Sequence, residues 1–215
     1  MGKTTRFSST FDWIAPVYDL LASVVFGRKL QQAQVVFLPT IPQNASVLLA
    51  GGGTGWLLEQ LLVERNPRRV LYLEASAQMV ALTSQRIIQK AVLGTVEYRV
   101  DTIMHLHKDE QFDIVITPFL LDLFPEETLQ STLLPQLRNA LKPNGIWLVT
   151  DFVVTDVWWQ KTLLWTMIRF FRLTAGIGTT QLADWQRLLA EAGLSLQKRQ
   201  PCVGGMVSTE VWHLK

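Results

Sequence analysis

The stretch that most constrains this chain is VLLAGGGTGWLL, residues 47–58. Four apolar residues run into Gly51, Gly52 and Gly53, Thr54 interrupts, Gly55 follows, and Trp56 opens a second apolar run. Ordering a glycine costs more backbone entropy than ordering any other residue, so four within five positions need a reason beyond turning the chain. Glycine permits positive φ and lets a ligand approach the main chain closely, while a helix that starts directly afterwards offers unpaired N–H groups. A buried strand running through such a turn into a helix is the opening unit of an open α/β sheet, which binds ligands outside the carboxyl ends of its strands.

The rest of the sequence repeats that unit. SVLLA (46–50), RVLYLE (69–74), TVEYRV (95–100), FDIVITP (112–118) and IWLVTDF (146–152) read as strands. The spacing predicts helices over about 54–64, 76–90 and 125–141, the last closed by a turn at Lys142-Pro143-Asn144-Gly145. Strands that alternate with helices imply parallel pairing, because each crossover needs a helix. Two further helices are expected over about 157–173 and 180–192, followed by LSLQKRQPCV, Gly204-Gly205 and MVSTEVWHL. A Gly-Gly pair between two alternating runs is a hairpin signal, so the final strands should be antiparallel. The expected fold is α/β: a Rossmann-like, mostly parallel sheet with an antiparallel last strand, helices on both faces and an N-terminal helical cap. At 215 residues it forms one domain: a helical cap over 1–40 with a break at Gly27, a ligand-binding core over 45–152, and a helical lid with the terminal hairpin over 153–215.

Trp56 and Glu74 narrow the ligand. A dinucleotide loop, G-x-G-x-x-G, wants its third glycine where this chain has Trp56, because that glycine permits close packing over a pyrophosphate. Here Gly51, Gly53 and Gly55 give G-x-G-x-G. Glu74, ending the second strand, can accept from both hydroxyls of a ribose, so the ligand should contain a nucleoside. A nicotinamide-dependent oxidoreductase stays as the alternative, opposed by Trp56 and by the terminal hairpin.

These residues resemble the class I S-adenosylmethionine-dependent methyltransferases. VLLAGGGTG is similar to their first motif, YLEAS to the second, FDIVIT to the fourth-strand motif, and LLPQLRNALKPNGIWLVTDF to the helix, turn and strand that follow. FDWIAPVYD, near the N-terminus, resembles the first helix of the ubiquinone/menaquinone-type members and their small-molecule relatives. The resemblance implies a seven-stranded sheet with a reversed last strand and S-adenosyl-L-methionine as cofactor. It implies that Gly51, Gly52, Gly53, Thr54 and Gly55 line the cofactor and that Glu74 holds its ribose. Ala75 and Met79 then lie near the adenine, and Asp101 accepts from the adenine amine beside Thr102 and Ile103. Thr117 meets the methionine end through its backbone, and Tyr18 closes over the cofactor. Leu49 stands where the family often carries an acidic residue, which keeps a catalytically silent cofactor-binding protein as a further alternative.

Methyl transfer needs a general base only when the acceptor must lose a proton. Asp122 and Asp151, near strand ends, and more remotely His213, are the candidates; each also has a purely structural reading. No metal is expected: His105 and His107 could share one face of a strand, but no other His or Cys stands near to complete a set. Gly2-Lys3-Thr4 imitates the tail of a phosphate loop without its strand or upstream glycine. The chain is 48% hydrophobic and 18% charged with eight Trp, and this surplus is densest at VWWQKTLLWTMIRFFRL, 157–173. Lys161, Arg169 and Arg172 interrupt that segment, which is too short and too charged for a span.

The segment is read instead as an aromatic lid over a hydrophobic or planar acceptor, with Thr162, Thr166, Arg169 and Thr174 near a polar stripe and Trp158, Trp159, Leu164, Trp165, Ile168 and Phe171 on the apolar remainder. A dimer contact or a peripheral membrane contact is also open, since 157–200 holds six Lys or Arg against two Asp or Glu. A net charge of +2 gives no ground for a nucleic-acid partner. The lone Cys202 excludes an internal disulfide. With no signal-peptide pattern at the N-terminus, a cytoplasmic protein is expected.

Overall fold

The computed structural model describes residues 26–107, 109–175 and 181–214. Most of the expected N-terminal cap, with FDWIAPVYD and Tyr18, lies outside the described residues. What is described of it is a turn at Gly27 (φ +58°), α1 (Lys29–Val35) and a 3-10 turn at Leu38–Thr40.

Strands and helices then alternate as β1 (Ser46–Ala50), α2 (Trp56–Arg65), β2 (Arg69–Glu74), α3 (Ala77–Gln89), β3 (Val96–Val100), β4 (Phe112–Pro118) and, after a helical run termed α4, β5 (Leu141–Phe152). The α4 run joins Glu126–Thr128, a π segment Leu129–Leu133, and Leu134–Asn139. Next come α5 (Trp158–Ala175) and α6 (Trp185–Glu191), then β6 (Leu194–Cys202) and β7 (Val207–Leu214). The expected turn at 142–145 is a bulge inside β5: Leu141 pairs with Phe112 and Ile146 with Ile114, and Asn144 takes φ +63°. The helix expected over about 180–192 is shorter, because Asp184 caps its first turn by accepting the Arg187 N–H at 3.1 Å.

The seven strands lie in the order β3-β2-β1-β4-β5-β7-β6. Neighbours from β3 to β5 are parallel, and β7 runs antiparallel to both β5 and β6. The chain winds outward from β1 to β3 and returns to β4 on the other side of β1. That reversal opens a crevice at the carboxyl ends of β1 and β4. A dinucleotide-binding sheet has no strand inserted between its last two, so the topology opposes the oxidoreductase reading.

Burial follows the two-residue period of a strand covered on both faces. Leu48, Ala50, Leu71 and Leu73 join one core with Leu133, Leu137 and Trp147. Val47, Leu49, Val70 and Tyr72 join the other with Leu57, Leu58 and Leu61. Val47, Leu48, Leu49 and Ala50 are fully buried, so the residues just before the glycine loop are fixed from both sides.

Candidate active site

The glycine loop follows directly on β1. Gly52 and Gly55 are small for packing reasons: a Cβ at Gly52 would stand 2.4 Å from Tyr72 Cε2, and one at Gly55 2.4 Å from Thr83 Cγ2. Gly53 differs. Its φ is +61°, and a Cβ there would meet nothing within 4 Å, so the backbone borders open space that a ligand can enter. The loop's carbonyls are turned into the protein. Tyr72 donates its hydroxyl to Gly53 O at 2.5 Å, Thr83 Oγ1 lies 3.0 Å from the same oxygen, and Arg86 Nε donates to Thr54 O at 3.1 Å. Tyr72 and Thr83 are site residues that sequence reasoning missed. The available signal was a tyrosine in an otherwise aliphatic strand, whose buried hydroxyl requires a partner.

Glu74 stands at the mouth of this loop. Its Oε2 accepts the Gly53 N–H at 3.3 Å and its Oε1 the Ser76 N–H at 3.2 Å, which aims the carboxylate across the strand ends. Ser76 is buried and caps α3 by accepting the Met79 N–H at 3.2 Å. Ala75 lies between Glu74 and this cap, and Met79 is buried in the first turn. The ends of β2 and β3 are joined by Asp101 N–H donating to Glu74 O at 3.0 Å. Asp101 Oδ1 in turn accepts from Thr102 N at 2.7 Å and lies 2.5 Å from His105 Nδ1. Burial alone would raise the Asp101 pKa, but the His105 and Thr102 hydrogen bonds outweigh it and hold the carboxyl below its ordinary value. Ile103 is buried beside it. Gly51–Gly55, Glu74, Ala75, Asp101 and Thr102 thus line one edge of the sheet. His105, weighed in the sequence with His107 as a metal pair, is an exposed partner of Asp101; among the described residues no cluster of three or more His, Cys, Asp or Glu could hold a metal ion.

The β4 and β5 ends carry the acids. Thr117 is fully buried and its Oγ1 accepts from Trp147 Nε1 at 3.0 Å, so its side chain is engaged within the sheet. Phe119 follows in the left-handed region (φ +49°), held by donating its N–H to Thr150 O at 2.7 Å. Asp151 is fully buried and accepts from Leu120 N at 3.1 Å and Leu121 N at 2.7 Å on Oδ2, and from Phe152 N at 2.8 Å on Oδ1. Asp122 hydrogen-bonds to Asp151 through the side chains, and two carboxyls can share such a bond only by retaining a proton. Burial pushes Asp122 up to about 6. Burial and the Asp122 charge push Asp151 well up, against the Leu121 and Phe152 N–H groups that it accepts from. Asp122 Oδ1 is buried without a protein partner among the described residues.

His213 is not part of this group. It pairs with Ile146, just after the β5 bulge, whereas Val207, at the other end of β7, pairs with Phe152 at the β5 end. The reversed strand therefore carries His213 to the opposite edge of the sheet, which removes it as a candidate base. The α5 expectation also needs correcting. Its inner face, with Leu164, packs on Phe26, Leu30, Phe152 and Met206, while Trp158, Trp159 and Trp165 are exposed on the same side as Thr162, Thr166 and Arg169. Those three indoles do not line an acceptor pocket.

Residues 47–145 match the methyltransferase domain family. The chain is 33% identical over 143 residues to the demethylmenaquinone methyltransferase of Lactiplantibacillus plantarum, an alignment covering 63% of this chain and 57% of that protein. It is 27% identical over 154 residues to the ubiquinone/menaquinone biosynthesis C-methyltransferase UbiE of Hydrogenovibrio crunogenus, covering 70% and 59%. The chain therefore spans under two thirds of the length of these curated relatives. Among solved structures, the 1,6-didemethyltoxoflavin-N1-methyltransferase of Burkholderia thailandensis, with its substrate and S-adenosylhomocysteine bound, superposes with a TM-score of 0.67 at 14% identity over 96% of this chain and 86% of that one. With that domain match, and in its fold, its glycine loop and the carboxylate at the loop's mouth, the chain is similar to the class I S-adenosylmethionine-dependent methyltransferases.

Proposed function

We propose that the chain transfers the methyl group of S-adenosylmethionine to a small, hydrophobic or planar acceptor. The observation that carries the cofactor half is the Glu74 carboxylate tied to the amide of Gly53, whose Cα faces open space. Glu74 would hold the ribose, Asp101 the adenine amine, and the Gly51–Gly55 backbone the remainder. When bound, the cofactor supplies a methyl made electrophilic by its sulfonium, so the protein has mainly to position an acceptor and exclude water.

The acceptor half draws on the β4 and β5 ends. Phe119 and Phe152 stand with ring centroids 5.4 Å apart, and Phe26 lies 5.9 Å from Phe152; Phe26 and Phe152 are buried, and the half-buried Phe119 is the ring of the three that a flat apolar molecule could meet. The quinone-type compounds in the relatives' names have that shape. Asp122, whose Oδ1 has no protein partner among the described residues and whose pKa is raised, would take a proton from an acceptor hydroxyl or ring carbon. A silent binder is the second reading, favoured by Leu49, which is buried in an apolar cluster. Thermal-shift measurements with S-adenosylhomocysteine and with NAD should show stabilisation by the first alone. Radiolabelled methyl transfer to a panel of hydroquinones and phenols should then show turnover. Stabilisation by NAD instead rejects the cofactor, and binding without turnover across the panel favours the silent binder.

A further inference from the structure

The outward face of α5 carries large apolar side chains that the proposed catalysis does not use. Trp158 is 77%, Trp165 56% and Trp159 48% exposed, and Val154 and Val157 beside them are exposed as well. Positions 158 and 165 are two turns apart on one face of the helix. Folded chains seldom leave three indoles in water on one element without a partner for them.

The charges interleaved with these indoles have one sign. Lys161 and Arg169 share the exposed face, and Arg169 Cζ sits 4.7 Å over the Trp165 ring. The helix sequence from Trp158 to Ala175 holds Lys161, Arg169 and Arg172 and no acidic residue. Asp156, just before the helix, pairs with Lys161 at 3.3 Å, both side chains being well exposed. Such a surface pair contributes little and exchanges readily for another anion. The opposite face of α5 is already committed: Leu164 is buried, and Gln160 accepts from Thr155 Oγ1 at 2.5 Å and donates to Gly204 O at 3.0 Å.

From this arrangement we infer that the outer face of α5 is a docking surface for an anionic phospholipid bilayer. Indole rings favour the headgroup boundary, where the ring is half in hydrocarbon and its N–H stays wet, and Lys and Arg add attraction to anionic lipid. The helix would lie in the plane of the surface. Among the described residues no helix is long and apolar enough to cross a membrane. The surface lies outside the cofactor crevice, so the inference stands apart from the acceptor reading.

The test is co-sedimentation of the full chain with vesicles of phosphatidylcholine alone and of phosphatidylcholine mixed with phosphatidylglycerol. Binding is expected to the mixed vesicles, weakly or not at all to the neutral ones, and to fall several-fold in high salt. The double variant W158S/W165S should lower partition about tenfold or more. K161E/R169E, which leaves the indoles in place, should lower it as well. Far-UV circular dichroism checks that both fold. In the wild-type chain, brominated lipid in the mixed vesicles should quench tryptophan fluorescence, a readout that needs no variant. Absence of wild-type binding, or binding that neither double variant reduces, overturns the assignment. So does a lipid-free dimer, seen by sedimentation velocity, that W158S/W165S dissociates while vesicles bind nothing; that result gives the face to a second copy.

Discussion

Glu74 Oε2 accepts the backbone N–H of Gly53 at 3.3 Å, joining the end of β2 to the glycine loop after β1. The bond holds the carboxylate at the mouth of the loop, where a ribose would exchange its hydroxyls for this contact. Glu74→Ala should therefore weaken S-adenosylhomocysteine binding by roughly tenfold to a hundredfold, as expected for losing charge-assisted hydrogen bonds. Titration calorimetry reads this directly. Unchanged affinity would remove Glu74 from the site.

Neighbouring glycines should separate folding from binding. Gly52→Ala drives a methyl into the Tyr72 ring and should destabilise the fold by about 1–3 kcal/mol. Gly53→Ala meets no atom but holds an L-residue at positive φ, a strain of about 1 kcal/mol, and puts its methyl where the proposed cofactor would lie. Denaturant curves should show the larger loss for Gly52→Ala, and ligand titration the larger loss for Gly53→Ala.

Tyr72→Phe should loosen the loop without opening a cavity. It removes the 2.5 Å bond to Gly53 O and leaves that oxygen to Thr83. A stability loss of about 1 kcal/mol and a modest drop in cofactor affinity are expected, the second greater than any change at sites away from the loop. Calorimetry with and without ligand checks both.

The Asp122–Asp151 pair carries a pH signature. Both carboxyls titrate above their ordinary value, so between about 4 and the folded-state values, including the value of about 6 for Asp122, the folded chain binds more protons than the unfolded chain. Stability then falls as pH rises through that window. Asp122→Asn removes one titrating group and can donate to Asp151, so its Tm should match the wild type near pH 4 and exceed it near pH 7. If Asp122 also takes the acceptor proton, turnover should drop with cofactor affinity unchanged.

The legible parts of the sequence were those governed by local chemistry. Five apolar runs marked β1, β2, β3, β4 and the main part of β5, and Gly204-Gly205 marked the reversal between β6 and β7. Glu74 could be named because glycine loop and strand-end acid stand at a fixed remove along the chain. Asp122 and Asp151 were named from their places near strand ends, but their shared proton depends on burial and on backbone donors from residues 120, 121 and 152, which no spacing reveals. The bracing of Gly53 by Tyr72 and Thr83 is a contact between elements and was equally hidden. On α5 the helix was foreseen and its orientation was not. Helical spacing sorts residues into faces, yet which face turns inward was settled by Phe26, Leu30 and Met206 from other elements.

The position of β7 bears on biosynthesis. It is made after β5 and β6 yet is hydrogen-bonded between them, so while the nascent chain emerges the β5 border from Ile146 to Phe152 lacks the strand that pairs with it. A ribosome-bound chain halted before residue 207 should bind holdase chaperones and yield to protease, and should lose both properties once the 207–214 segment clears the exit tunnel.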